Sequence, residues 1–117
     1  MTVSGSLQTD LPLTETTLLI LLSLAPSPRH GYAIMKDVQA LSQGRVTLST
    51  GTLYGALKRL LELAWIERVD DPEVNDTARE RKAYALTEQG RRVLGAELAR
   101  LQDLVKVAGR RMMEAQA

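Results

Sequence analysis

Ser49-Thr50-Gly51-Thr52-Leu53-Tyr54-Gly55-Ala56-Leu57-Lys58-Arg59-Leu60-Leu61-Glu62-Leu63-Ala64 is the stretch that decides the fold of this 117-residue chain. Leu53, Leu57, Leu60, Leu61 and Ala64 recur at i, i+4, i+7, i+8 and i+11, so winding the segment into a helix gathers them on one side. Ser49 stands where its hydroxyl can accept from an orphan backbone N–H and start that helix. Tyr54, Lys58 and Arg59 fall on the opposite face. The segment is therefore predicted to be a helix with an apolar back and a small, hydroxylated, cationic front, and the remaining chain is read for what covers the back.

Upstream, the polar residues 1–10 predict a mobile arm. The apolar density of Leu18, Leu19, Leu21, Leu22 and Ala25 predicts a buried first helix starting near Pro12, a residue suited to a first turn, and ended by Pro26-Ser27-Pro28. Tyr32, Ile34, Met35, Val38 and Leu41 predict a second helix, with Gly44 suited to a left-handed position just past its end. Arg45-Val46-Thr47-Leu48 is β-favouring and reads as a short strand.

Downstream, Trp65–Val69 and Arg81–Leu86 read as an antiparallel hairpin around a polar loop. Thr87 is a cap for a last helix running to about Met113, with Glu88 well placed in its first turn. Three helices followed by a hairpin define the expected fold class: mainly α with a β part (α+β), a winged helix-turn-helix with a two-stranded wing, and a long C-terminal dimerisation helix. The expected division is an arm at 1–10, a winged domain at 11–87 and the dimerisation helix at 88–117.

Composition narrows the chemistry. Cysteine is absent and His30 is the only histidine, so thiolate chemistry, disulfides and a His/Cys zinc site are excluded by inventory. His30, beside Gly31 at a helix start, reads as a capping or hydrogen-bonding residue. No phosphate-cradling loop or convincing carboxylate pair is present, so no enzyme, no cofactor and no metal are expected. Asp70, Asp71, Glu73 and Asp76 lack the glycine and terminal glutamate of a calcium loop and read as a solvated turn. The longest apolar run, Leu18–Leu22, is far short of the ~20 residues a membrane span needs, and a cytoplasmic location is expected. The formal net charge is only +1, but residues 45–69 hold four bases against two acids, 70–78 hold four acids and no base, and 79–92 hold five bases against two acids.

That segregation points to double-stranded DNA as the partner. A major groove about 12 Å wide admits a helix whose leading residues are small and hydrogen-bonding, which suits Ser49, Thr50, Gly51 and Thr52. Lys58 and Arg59 are placed to meet flanking phosphates, and Arg79, Arg81 and Lys82 to meet them from the base of the wing. Tyr32 is assigned packing plus a phosphate contact. Tyr54 is left between a contact to DNA and packing at the edge of the core, and Tyr84 is assigned to the core. The competing reading is a winged-helix protein-interaction module without DNA binding.

The last helix argues for a homodimer. Leu94, Leu98, Leu101, Val105, Ala108 and Met112 alternate spacings of four and three, a coiled-coil seam that Leu104 and Val107 widen. Such a helix is ~40 Å long at 1.5 Å per residue, more than one small winged domain covers, and a second copy is the simplest cover for the rest.

Three stretches carry a resemblance: His30-Gly31-Tyr32-Ala33-Ile34; Gly51-Thr52-Leu53-Tyr54 with Ala56-Leu57-Lys58-Arg59-Leu60; and Arg81-Lys82-x-Tyr84-x-Leu86-Thr87-x-x-Gly90. In this order they resemble the PadR family of bacterial regulators over about residues 12–92, in its compact form with one C-terminal helix. The resemblance implies a dimeric repressor of a partly palindromic operator, its third helix in the major groove. Thr50 and Gly55 stand where relatives usually carry proline, and Ala64 and Trp65 replace the usual small residue and leucine. Some family members stack planar aromatic effectors on aromatics of the last helix. This chain has none there, so a small-molecule effector is left open as a partner without an identity.

Overall fold

A computed structural model describes residues 10–70 and 82–116, in the order α1 (Glu15–Leu24), β1 (Arg29–His30), α2 (Gly31–Leu41), α3 (Thr50–Glu62), β2 (Ile66–Asp70), β3 (Lys82–Leu86) and α4 (Glu88–Gln116). Residues 1–9 of the expected arm at 1–10, the acidic loop beyond Asp70, and Arg79 and Arg81 lie outside the described residues. The architecture is the expected winged helix: three helices, a small antiparallel sheet and a long final helix.

Local chemistry sets the helix starts. The Thr14 hydroxyl accepts from the Thr17 N–H at 3.2 Å, so α1 begins at Glu15, not near Pro12 as its sequence had indicated. Pro12 lies ahead of the cap because the first turn starts where an acceptor meets the orphan donors. Ser49 caps α3 by accepting from Thr52 N–H at 3.1 Å. Thr87 caps α4 by accepting from Gly90 N–H at 3.0 Å, while its own hydroxyl donates to the Ala64 carbonyl at 2.6 Å. One hydroxyl thus joins the end of α3 to the start of α4.

Two expectations fail in the sheet. Arg45–Leu48 is not a strand: it has no ladder partner, and Val46 N–H donates instead to Ser42 Oγ at 3.0 Å. The third strand is Arg29–His30, which pairs antiparallel with β3 through Arg29↔Tyr84 and His30↔Ala83. The order is β1-β3-β2, with Ile66 opposite Leu86 and Asp70 opposite Lys82. Two residues carry no alternation to detect, so tertiary pairing alone makes β1 a strand.

Ala64 also departs from its expected place on the apolar back of α3. It sits past the helix end at φ +63°, in the left-handed position usual for a residue following a helix. Trp65 N–H closes the turn onto the Leu60 carbonyl at 3.1 Å. The core is built from Ile20, Leu21 and Leu24 of α1, Ile34 and Val38 of α2, Leu53, Leu57 and Leu60 of α3, Trp65, Ile66, Tyr84 and Leu86 around the sheet, and Val93 and Leu94 of α4. Gly44 takes a left-handed φ of +82° after α2, as expected.

Glu97 is 1 % exposed and is the last buried residue of α4. Its carboxylate accepts the Leu13 N–H at 3.1 Å and two bonds from Arg100, at 2.6 and 2.9 Å. The Arg100 bonds, opposed by burial and helped by the Leu13 N–H, hold its carboxyl below the usual carboxylate range. A group whose folded pKa is depressed contributes stability that is present above its unfolded value, about 4.3, and is lost as pH falls through the folded value. Urea unfolding at pH values descending through that range should show a steeper loss for the native chain than for Glu97→Gln. Identical pH profiles would remove Glu97 from the acid response.

Candidate nucleic-acid interface

The outer face of α3 is uncovered. Ser49, Thr50, Gly51, Thr52, Gly55, Lys58 and Arg59 are all exposed, while Leu53, Leu57 and Leu60 are buried behind them. A Cβ built on Gly51 or Gly55 meets no atom within 4 Å. Gly51, Gly55 and Lys58, at i, i+4 and i+7, form the outermost line of the helix, and along its first two turns only backbone and hydrogens stand there. The Ser49 hydroxyl donates to Thr52 Oγ1 at 3.0 Å, which fixes both side chains at the helix tip.

The two flanks of α3 differ. On one side Thr50 and Tyr54 line a concave pocket of about 610 Å³ with Tyr32, Met35 and Lys82. On the other, Arg59 borders a smaller recess with Asp10, Pro12, Thr14 and Thr17. Lys58 and Arg59, paired in the sequence reading, therefore face different surroundings: Lys58 stands on the outer line and Arg59 leans toward the start of α1.

Tyr54 is half exposed. Its ring lies over the buried Gly31, where a Cβ would stand 2.9 Å from Tyr54 Cζ. Of the two roles open for it, packing is thus present, with one edge still facing the pocket. Tyr32 is 69 % exposed, and Lys36 Nζ stands 5.6 Å from its ring centroid. Lys36 was missed in the sequence reading, although its i+4 spacing from Tyr32 is a signal that marks a shared face. Tyr84 is buried in the core, and burial, with the neighbouring Tyr54 adding to it and Arg68 opposing, pushes its phenol above the ordinary range.

Lys82 is half buried at the start of β3, and its carbonyl accepts from His30 Nδ1–H at 3.2 Å. A carbonyl can only accept, so the proton sits on that nitrogen. His30 occupies the N-cap position of α2 without a side-chain cap bond; its role is to tie α2 to the wing. Among the described residues no group of His, Cys, Asp and Glu forms a metal site, and no helix is long and apolar enough to cross a membrane.

On α4 the expected seam divides. Leu94 lies in the protomer's own core, 6 % exposed, so it is closed to a second copy. Burial of Gly90, Val93, Leu94 and Glu97 occupies the first turns. Beyond them Leu101 is half buried, and Leu98, Leu104, Val105, Ala108 and Met112 are exposed.

Residues 19–96 match the family described as Transcriptional regulator PadR-like family. The chain belongs to that family. Membership places it among transcription regulators and not among enzymes. The PadR-like chain is 36% identical over 76 residues to Transcriptional regulator YqjI of Escherichia coli (strain K12), which covers 65% of this chain and 34% of that protein. It is 32% identical over 96 residues to a 37.1 kDa protein of transposon TN4556 from Streptomyces fradiae, covering 82% and 25% respectively. The PadR-like chain thus spans about a quarter to a third of the length of these curated relatives. Among solved structures, a PadR family transcription regulator from Clostridium difficile R20291 superposes with TM-score 0.68 at 27% identity, over 85% of this chain and 99% of that one. Bacillus subtilis PadR in complex with operator DNA gives 0.63 at 24% identity, over 74% and 47%, and at that identity it bears on the fold alone.

Proposed function

We propose that this chain is a dimeric repressor that binds a partly palindromic operator with α3 in the major groove and the base of the wing on adjacent backbone. The observation that carries the reading is the outer line Gly51–Gly55–Lys58, open to any approaching surface and flanked by the hydroxyls of Ser49, Thr50 and Thr52. Tyr32, Tyr54 and Lys82 then meet the flanking strand, with Arg79 and Arg81 assigned to it from sequence. Bacillus subtilis PadR, which shares this fold, was solved in complex with operator DNA, and that supports DNA as the partner.

Dimerisation is the second part. The uncovered residues of α4 from Leu98 to Met112 continue the face that the winged domain buries between Gly90 and Glu97, and a second copy related by two-fold symmetry covers them and sets out two recognition helices for two half-sites. The cytoplasm is the matching compartment. A small-molecule effector remains an unassigned partner of the dimer.

The test is binding to the duplex upstream of the chain's own gene, measured by fluorescence anisotropy against salt. Each protomer contributes one Lys58, so Lys58→Ala removes two phosphate contacts from a dimer. At about 0.9 per phosphate, the log–log salt slope should become shallower by about 1.8. Arg59→Ala should give a smaller change because its side chain leans toward α1. A protein that shows no salt-dependent duplex binding would instead be an interaction module.

A further inference from the structure

The contact between Glu97 and Leu13 joins residues 84 positions apart, and it stands where α4 leaves the body of the protomer. Upstream of it α4 is fixed by Gly90 against the Trp65 backbone and by Val93 and Leu94 in the core. Downstream of it Arg100 and Leu101 are half buried, and every residue from Gln102 to Gln116 is exposed. Leu13 directly precedes Thr14, the cap of α1, and its side chain packs against the core. The carboxylate is therefore a rigid link between the start of α1 and the exit of α4, with Arg100 holding both of its oxygens in place.

We propose that Glu97 is a positioning residue that fixes the angle at which α4 departs, and through it the separation of the two recognition helices and the half-site spacing the dimer accepts. The inference rests on the dimeric, DNA-binding reading above. Its geometry needs no contact with DNA. Arg100 stands one turn along the same helix and holds the Glu97 carboxylate in one orientation, so that the single bond to the Leu13 N–H ties α4 to the start of α1 at a fixed direction, which a buried leucine at the same place would not do. One base pair of added spacer moves a half-site by about 3.4 Å and about a tenth of a turn, so a stiff exit angle is read as spacing selectivity.

The experiment selects bound duplexes from a randomised library with the native chain, Glu97→Ala and Glu97→Gln, and then measures affinity for the selected palindrome with one base pair added to its centre. The native chain should enrich one spacer length and lose about tenfold or more for the added base pair. Glu97→Ala should enrich the same half-sites at mixed spacings and lose under about threefold. Glu97→Gln, whose amide oxygen still accepts the Leu13 N–H, should keep the native spacing. A folded, dimeric Glu97→Ala protein with the native single spacing overturns the positioning role and leaves the DNA-binding reading intact. A native chain that is monomeric by sedimentation or selects no paired half-sites overturns the dimer reading and the inference with it. Should Glu97→Ala fail to fold, amide exchange in the native protein decides: protection of the Leu13 N–H beyond that of its exposed neighbours supports the link, and free exchange overturns it.

Discussion

Gly90→Ala is expected to be the most destabilising single-methyl change in the described chain. A Cβ at this position would overlap the Trp65 carbonyl oxygen and stand 2.9 Å from its carbon and 3.2 Å from Leu86 Cδ2. Two of these neighbours are backbone, and the Trp65 carbonyl is already held by the Thr87 N–H at 3.1 Å, so no side-chain rotation relieves the clash. The methyl fits only if α4 moves off the turn between α3 and β2, which breaks the Thr87 hydroxyl bond to Ala64 as well. Alanine gains about 1 kcal/mol over glycine as a helix residue. The net loss should still be on the order of 3 kcal/mol, a large part of the roughly 5–15 kcal/mol that holds a small domain folded. Urea denaturation measures it, with Gly95→Ala as the control. A Cβ at Gly95 meets nothing within 4 Å, so that change should stabilise by up to about 1 kcal/mol. Equal midpoints for the two variants would contradict the close packing of α4 on the Trp65 backbone.

The second large effect is on DNA and not on stability. Gly55 sits on the outer line of α3 with open space around it. Gly55→Ala should therefore raise stability by about 0.5–1 kcal/mol, and Gly55→Glu should leave the fold at least as stable as the native chain. On a duplex the same glutamate places a longer side chain and a negative charge between the helix and a polyanion. The expected loss is about 2–3 kcal/mol, on the order of a hundredfold in operator affinity. Thermal unfolding and anisotropy on the same samples separate the two effects. Native affinity in a stable Gly55→Glu protein would mean that another face meets the DNA, and with it the groove assignment of α3 would fall.

The elements that were legible in the sequence are those whose signal repeats. The leucines of α3 and the Ser49 cap placed that helix to within a residue at its start, and the alternation of β3 with Thr87 behind it did the same for the wing and α4. Thr14 was not legible as the cap: Thr16 and Thr17 behind it are weak helix formers, and the proline two residues earlier drew the expected start toward itself. Strand β1 carried no signal because two residues have no period. Arg45–Leu48 carried a false one, since β-propensity records a fit to a neighbouring strand and none is present there. Lys36 was passed over because an isolated lysine on an amphipathic helix looks like any solvated charge, although its i+4 spacing from Tyr32 marks the face the two share.

Leu94 and Glu97 mark the boundary between the two kinds of information. The spacing of four and three along α4 determined that one face of the helix needs cover, because periodicity is a property of the chain alone. Which part of that face the protomer covers itself depends on where α1 and the Trp65 turn come to rest, and only the tertiary structure decided it: Leu94 goes into the core, Leu98 stays outside. The sequence likewise determined a helix with a cationic front. Its division into an open line of glycines, a tyrosine-lined pocket and a recess beside α1 arose from packing, because a side chain's surroundings come from elements distant along the chain.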